Sequence, residues 1–125
     1  MYVLDASALL CLLFDEPGAD HVGDRLAGAL VSATNYSEVI AKLVDRGAPV
    51  EEIVGIMADL EVEIVAVDRH QAERAGLLRE TTRNAGLSLG DRACLALAQT
   101  RRAVALTTDR AWAELDLGLE VELAR

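Results

Sequence analysis

Short apolar and β-branched runs alternate along this chain with longer stretches of helical periodicity, a pattern that specifies an α/β fold with a mainly parallel sheet. Tyr2 to Leu4 reads as the first strand. Ala6 to Phe14 reads as a helix, apolar nearly all round and stopped by Asp15-Glu16-Pro17-Gly18. Ala19, Val22, Leu26 and Leu30 fall at helical spacing, and Leu30 to Ser32 reads as a very short second strand. The run Thr34-Asn35-Tyr36-Ser37-Glu38 begins a third helix, with an apolar stripe of Tyr36, Val39, Ile40, Leu43 and Val44, that ends near Gly47-Ala48-Pro49. A further helix is predicted from Glu51 to Leu60. Glu63 to Val67 is the clearest strand, and Asp68 to Asn84 reads as a helix closed by Gly86. Ser88-Leu89-Gly90-Asp91 opens a helix through Gln99. Ala103 to Thr107 follows as a buried strand, Asp109 to Leu115 as a short helix, and Leu119 to Leu123 as the last strand.

A length of 125 residues suits one domain, residues 1–125. Apolar residues at 52% and charged residues at 26% exclude a disordered polar chain. The longest apolar run, Ala8 to Phe14, is far below the roughly 20 residues of a membrane span. No basic stretch or small-residue cleavage site accompanies Met1-Tyr2-Val3-Leu4, so the expected location is cytoplasmic. Cys11 and Cys94 lack CxxC spacing and read as reduced core thiols, while His21 and His70 read as surface residues rather than zinc ligands. A net charge of −9 argues against a polyanionic partner, because affinity for nucleic acid comes from basic faces. Arg supplies eleven of the twelve basic residues, Lys42 being the exception, and Arg is suited to bidentate phosphate contacts.

Four acids stand at junctions that the topology can bring together. Asp5 follows the first strand, Glu38 lies in the first turn of the helix after the second, Asp91 opens a helix, and Asp109 follows the strand ending at Thr107. Open parallel sheets collect ligands at the carboxyl ends of their strands, so these positions converge although they are distant in sequence. Carboxylates gathered in a partly dry cleft repel one another unless a divalent cation or protons compensate, and Mg²⁺ or Mn²⁺ prefers such oxygen ligands. Each acid also has a purely structural reading. Ser88 with Asp91 and Asn35 with Glu38 resemble capping boxes, Asp5 and Asp109 can cap the helices after them, and Glu38 stands four residues before Lys42 as an ion pair would.

The stretches Tyr2-Val3-Leu4-Asp5-Ala6-Ser7-Ala8-Leu9-Leu10, Ser37-Glu38-Val39, Leu87 through Ala98 with Ser88-Leu89-Gly90-Asp91-Arg92 at its start, and Leu106-Thr107-Thr108-Asp109-Arg110-Ala111-Trp112 occur in that order. Over nearly the whole chain they resemble the PIN domain, and within it the VapC-type toxin of VapBC toxin-antitoxin pairs. The resemblance implies a three-layer α/β/α fold and a metal-dependent endoribonuclease whose acids Asp5, Glu38, Asp91 and Asp109 bind one or two Mg²⁺ or Mn²⁺ ions. It implies that the RNA phosphodiester is cut to a 3′-hydroxyl and a 5′-phosphate. Ser7 and Thr107 match hydroxyl positions that support the site, and Arg92 and Arg110 are candidate contacts to the RNA backbone. It further implies a VapB-type antitoxin partner and a homodimer, with the helices Ala6 to Phe14, Tyr36 to Arg46 and Glu51 to Leu60 as the contact surfaces, unless core packing claims them. Trp112 is expected to anchor the terminal helix in the core.

Other classes fit less well. A phosphate-accepting receiver domain needs a lysine after a late strand, and Lys42 lies in an early helix. An aspartyl-nucleophile phosphatase wants a second Asp two residues after the first, where Ser7 stands. A flap nuclease needs more chain. The remaining alternative is a catalytically silent PIN-like binding or scaffold module.

Overall fold

β1 (Tyr2–Leu4) lies at the centre of a five-stranded sheet of order β3-β2-β1-β4-β5, in which every pairing is parallel. The structure is a computed structural model describing residues 1–125. The other elements are α1 (Ala6–Leu13), α2 (Ala19–Arg25), β2 (Ala29–Ser32), α3 (Ala33–Asp45), α4 (Val50–Ala58), β3 (Val62–Val65), α5 (Arg69–Thr82), α6 (Leu89–Arg101), β4 (Val104–Thr107) and β5 (Val121–Leu123). Two 3₁₀ turns, Arg83–Ala85 and Arg110–Glu114, complete them. The parallel sheet is the one the residue pattern predicts, and the three-layer α/β/α arrangement is the one the resemblance implies. No helix is long and apolar enough to cross a membrane.

The sheet separates two halves of the core. One half joins Leu4, Val31 and Leu106 to Leu9 of α1, Val22 of α2, Val39 and Leu43 of α3, and Ile53 and Met57 of α4. The other joins Val3, Leu30 and Ala105 to Ala75 and Leu78 of α5, the Cys94–Ala98 stretch of α6, and Trp112. Central parallel strands are covered on both faces and so read as continuous apolar runs; Val3, Leu4, Ala105 and Leu106 are fully buried. Truncating a buried side chain as large as Trp112 costs about 3–5 kcal/mol, so its place in the core is an anchor as expected.

Several boundaries move for physical reasons. The strand predicted from Glu63 to Val67 is β3, an edge strand with Glu63 and Ile64 exposed, and its alternation of acids with β-branched residues is the mark of a half-wet edge. The third helix begins at Ala33, because the Ser32 hydroxyl accepts from the Thr34 N–H at 3.3 Å and acts as the cap. Asn35 therefore lies inside the helix and forms no capping box with Glu38. The segment after Asp109 is a 3₁₀ turn rather than an α-helix. Gly86 closes the α5 region at φ +67°, the left-handed conformation expected of it.

Cys11 and Cys94 are buried and unbridged. His21, expected at the surface, is half-buried: its Nε2 lies 2.7 Å from Glu122 Oε2, which also accepts from Arg25 Nε. Burial alone would raise the Glu122 carboxyl, but the hydrogen bonds from His21 and Arg25 outweigh it and hold it below its ordinary range. These bonds fasten α2 to β5.

Candidate functional site

Asp5 is the most constrained of the four acids. It caps α1: its Oδ1 accepts from the Ala8 N–H at 2.8 Å and from the Ser7 hydroxyl at 2.7 Å, and its Oδ2 accepts from the Thr107 hydroxyl at 2.6 Å. Only 3% of it is exposed. Ser7 Oγ in turn accepts from the Thr108 N–H at 3.0 Å, and Thr107 Oγ1 accepts from the Asp109 N–H at 3.1 Å. Ser7 and Thr107 each hold a single hydroxyl proton and direct it at Asp5, so the two form one bracket around that carboxylate. The bracket ties the end of β1 to the end of β4 and sets the backbone of Asp109 beside it.

Burial pushes the Asp5 carboxyl up from 3.8 to about 6, the negative charge of Asp91 adding to the effect, against the three donors from Thr107, Ser7 and Ala8. No cation offsets it. Behind it on α6, the fully buried Cys94 thiol is pushed well above its ordinary value by burial and by the charges of Asp5, Asp91 and Glu38. Cys94 stays a neutral thiol. Its surroundings show that these three acids, which the sequence scatters over 87 positions (5 to 91, inclusive), share one field.

Glu38, on α3, is positioned by two residues that the sequence reading did not single out for this role. The Asn35 side-chain amide donates to Glu38 Oε1 at 3.0 Å and to the Gly90 carbonyl at 3.0 Å, so it pins α3 to the start of α6. The Glu38 carboxylate lies directly over the Cα of Gly90, where any Cβ would overlap it. Asn35 is 1% exposed and its Oδ1 lacks a partner. A polar residue at a position that a helix must bury is the sequence signal for Asn35. No ion pair joins Glu38 to Lys42.

Asp91 and Asp109 are both caps and candidate ligands. Ser88 and Asp91 form the capping box the sequence suggests: Ser88 Oγ accepts from the Asp91 N–H at 3.1 Å, and Asp91 Oδ2 accepts from the Ser88 N–H at 2.9 Å. Ser88→Ala is therefore expected to lower stability by about 1 kcal/mol, read as a fall in thermal midpoint. Asp109 Oδ1 accepts from the Ala111 N–H at 3.0 Å, and its side chain is exposed. Because caps engage these side chains, no three acids converge on one point at ligand distance. Each still offers an oxygen lone pair: Asp91 through Oδ1, Asp109 through Oδ2, Glu38 through Oε2, and Asp5 through the second lone pair of Oδ2. Carboxylate oxygens are the donor type that a hard divalent ion takes, so these four acids fit such an ion in chemistry although their present rotamers do not gather around one point.

Of the two candidate RNA contacts, Arg110 is exposed beside Asp109, whereas Arg92 donates to the Ala75 carbonyl at 3.0 Å and buries its Nε. A cleft of about 370 Å³ meets the acid site at Ser7 and Thr108. Two larger clefts, each of about 480 Å³, run along α5, α6 and Leu117; none of the three is lined by any of the four acids, and only the smaller one reaches residues bonded to Asp5 and its bracket.

The PIN domain family model matches residues 2–117. A search of curated protein sequences gave no significant match. Among solved structures, the fold is shared with a toxin-antitoxin complex from Klebsiella pneumoniae, at a TM-score of 0.78 and 19% identity, covering 100% of this chain and 98% of that one. DNA-bound VapBC from Salmonella typhimurium matches at a TM-score of 0.75 and 16% identity, covering 99% and 98%. A sarcin-ricin loop cleaving VapC toxin from Mycobacterium tuberculosis matches at 0.73 and 13%, covering 93% and 97%. With four acids at the carboxyl end of a parallel sheet and a family model spanning nearly its whole length, the chain belongs to the PIN-domain family.

Proposed function

We propose that this protein is a metal-dependent endoribonuclease, the toxin of a toxin-antitoxin pair, with Asp5, Glu38, Asp91 and Asp109 as its metal-binding residues. The observation that carries the reading is Asp5, a buried carboxyl at the end of β1 bracketed by two hydroxyls and raised to about 6 by burial and the charge of Asp91, a setting that favours added positive charge. A bound Mg²⁺ or Mn²⁺ ion would supply that charge, polarise water and phosphate, and offset the negative charge that builds on phosphorus. The chain's residues do the positioning. Ser7 and Thr107 hold Asp5 in one orientation, Asn35 holds Glu38 across Gly90, and two helix starts hold Asp91 and Asp109. A carboxylate with a free oxygen takes the proton of the attacking water as the water oxygen bonds to phosphorus; the bond from phosphorus to the 3′-oxygen breaks, and that oxygen takes a proton from solvent, leaving a 3′-hydroxyl and a 5′-phosphate.

The structures that share this fold include toxin-antitoxin assemblies and a toxin that cleaves the sarcin-ricin loop, which supports RNA as the substrate class and a VapB-type antitoxin as the partner. α1 packs into the core, whereas α4 leaves Val50 and Val54 about two-thirds exposed, so α4 is the better surface for partner contact.

Total RNA incubated with the protein and Mg²⁺ or Mn²⁺ is expected to yield discrete fragments bearing 5′-phosphates, and none in EDTA. RNA binding should also vanish in EDTA, because the metal-free acids repel phosphate. No cleavage with either metal, together with no calorimetric metal binding, would sink the nuclease reading and leave a scaffold module.

A further inference from the structure

The net charge of −9 raises the question of what holds an RNA strand next to four acids. We infer that the cleft between α1, α3 and the end of β5 is the track for the RNA phosphate backbone, with Lys42, Arg46 and Arg125 as its phosphate contacts. This rests on the ribonuclease reading and extends it to how the substrate is held.

The charge of the cleft reverses that of the chain. Acids outnumber bases 21 to 12 overall, but three bases and only two acids, Glu16 and Asp45, line this cleft. Glu16 and Arg125 offset each other, 3.7 Å apart, which leaves Lys42 and Arg46 against Asp45. Lys42 and Arg46 are exposed and enter no ion pair, so their charge is free for a ligand. Arg46 is also set for phosphate. Its guanidinium carbon lies 4.5 Å from the centroid of the Phe14 ring, and stacking engages the face of the group while leaving its in-plane N–H donors available for bidentate contact.

The cleft is continuous with the reacting centre. Ser7, which donates to Asp5 at 2.7 Å, forms part of its wall, as does Thr108, whose N–H donates to Ser7. The wall of the cleft at Ser7 is thus one side chain away from Asp5. Arg125 reaches this end of the sheet because β5 runs parallel to β4: the Ala124 N–H donates to the Thr107 carbonyl at 2.9 Å, and Arg125 donates to the Pro17 carbonyl at 3.1 Å. At about 370 Å³ the cleft exceeds the roughly 300 Å³ at which ligand clefts begin.

Binding of a short fluorescein-labelled single-stranded RNA, followed by anisotropy with Mn²⁺ across a salt series, tests the track. Kinetics on the same RNA and thermal melts accompany it. Lys42→Glu with Arg46→Glu should weaken binding and raise KM at least tenfold, leave kcat within about twofold, and flatten the slope of log affinity against log salt by about 1.4, or 0.7 for each lost contact to a single strand. Arg125→Glu should flatten it by half as much. The control, Arg69→Glu with Arg101→Glu, changes the overall charge equally at exposed positions outside the cleft and should leave the slope unchanged. Equal slopes in the cleft and control variants, whether both fall or neither does, overturn the track. In an enzyme that still cuts RNA, that result leaves the nuclease standing and assigns these cations to a protein partner. A wild-type protein that neither binds nor cuts RNA removes both readings.

Discussion

Asp5→Asn is expected to abolish cleavage while making the metal-free protein more stable. Loss of a metal-binding carboxylate removes several kcal/mol of transition-state stabilisation, about three powers of ten in rate. The stability effect follows from the raised pKa. Between pH 3.8 and about 6 the unfolded chain releases the Asp5 proton while the folded chain retains it, so stability falls as pH rises through that window. Above it the folded state carries a constant penalty of about 3 kcal/mol. Asn avoids ionisation, but its NH₂ group must face the Thr107 hydroxyl in place of an acceptor, which returns about 1 kcal/mol of the gain. The variant should therefore melt several degrees above wild type at pH 7.5 and near or below it at pH 4, where Asp5 is largely protonated in the folded protein. Mn²⁺ should raise the melting point of wild type only. A variant that keeps full cleavage, or loses as much stability at pH 7.5 as at pH 4, would contradict this account.

Gly90→Ala should separate activity from stability in a different way. Gly90 occupies the second position of α6, where Ala would ordinarily add up to about 1 kcal/mol to a helix. Here the new methyl group would overlap the Glu38 carboxylate, and because that is the free end of a flexible side chain, Glu38 can swing aside at little expense. The swing breaks its bond to Asn35 and removes one oxygen donor from the site. Displacement on the order of 1 Å costs about 10²-fold in rate. The expected result is a melting point within a few degrees of wild type, a rate down about 100-fold, and weaker Mn²⁺ binding by calorimetry. Wild-type rates would show that Glu38 is free to act from elsewhere.

The fold and the acids were legible because both depend on chain order. An alternation of short strands with helices admits few topologies, and Asp5 and Asp109 sit where strands end, so the sheet itself brings them together. Asp5, Asp91 and Asp109 are caps, as one reading of the sequence had it, and each has two oxygens, so a cap bond leaves lone pairs and does not exclude a second task. Asn35 was misread because a polar residue three before a glutamate looks like a cap, and only the packing of α3 against α6 reveals its bond to the Gly90 carbonyl. Lys42 and Arg46 stand four apart at the end of α3, but nothing in the sequence places Arg125 beside them. His21 looked like a surface residue because its partner, Glu122, is a hundred residues away.

The hydrogen bond from Thr107 to Asp5 spans 102 positions, and it implies an order of events in the making of the protein. Asp5 leaves the ribosome about a hundred residues ahead of Thr107, so the strand that completes its bracket is made long after the carboxylate itself. Until β4 inserts beside β1, Asp5 lacks the Thr107 hydroxyl and β1 has only one of its two neighbours. Parallel pairings between such distant segments also form slowly. Fragments ending before Thr107 therefore carry an unfinished bracket, and a cell translating this message meets a completed one only after β4 has been made.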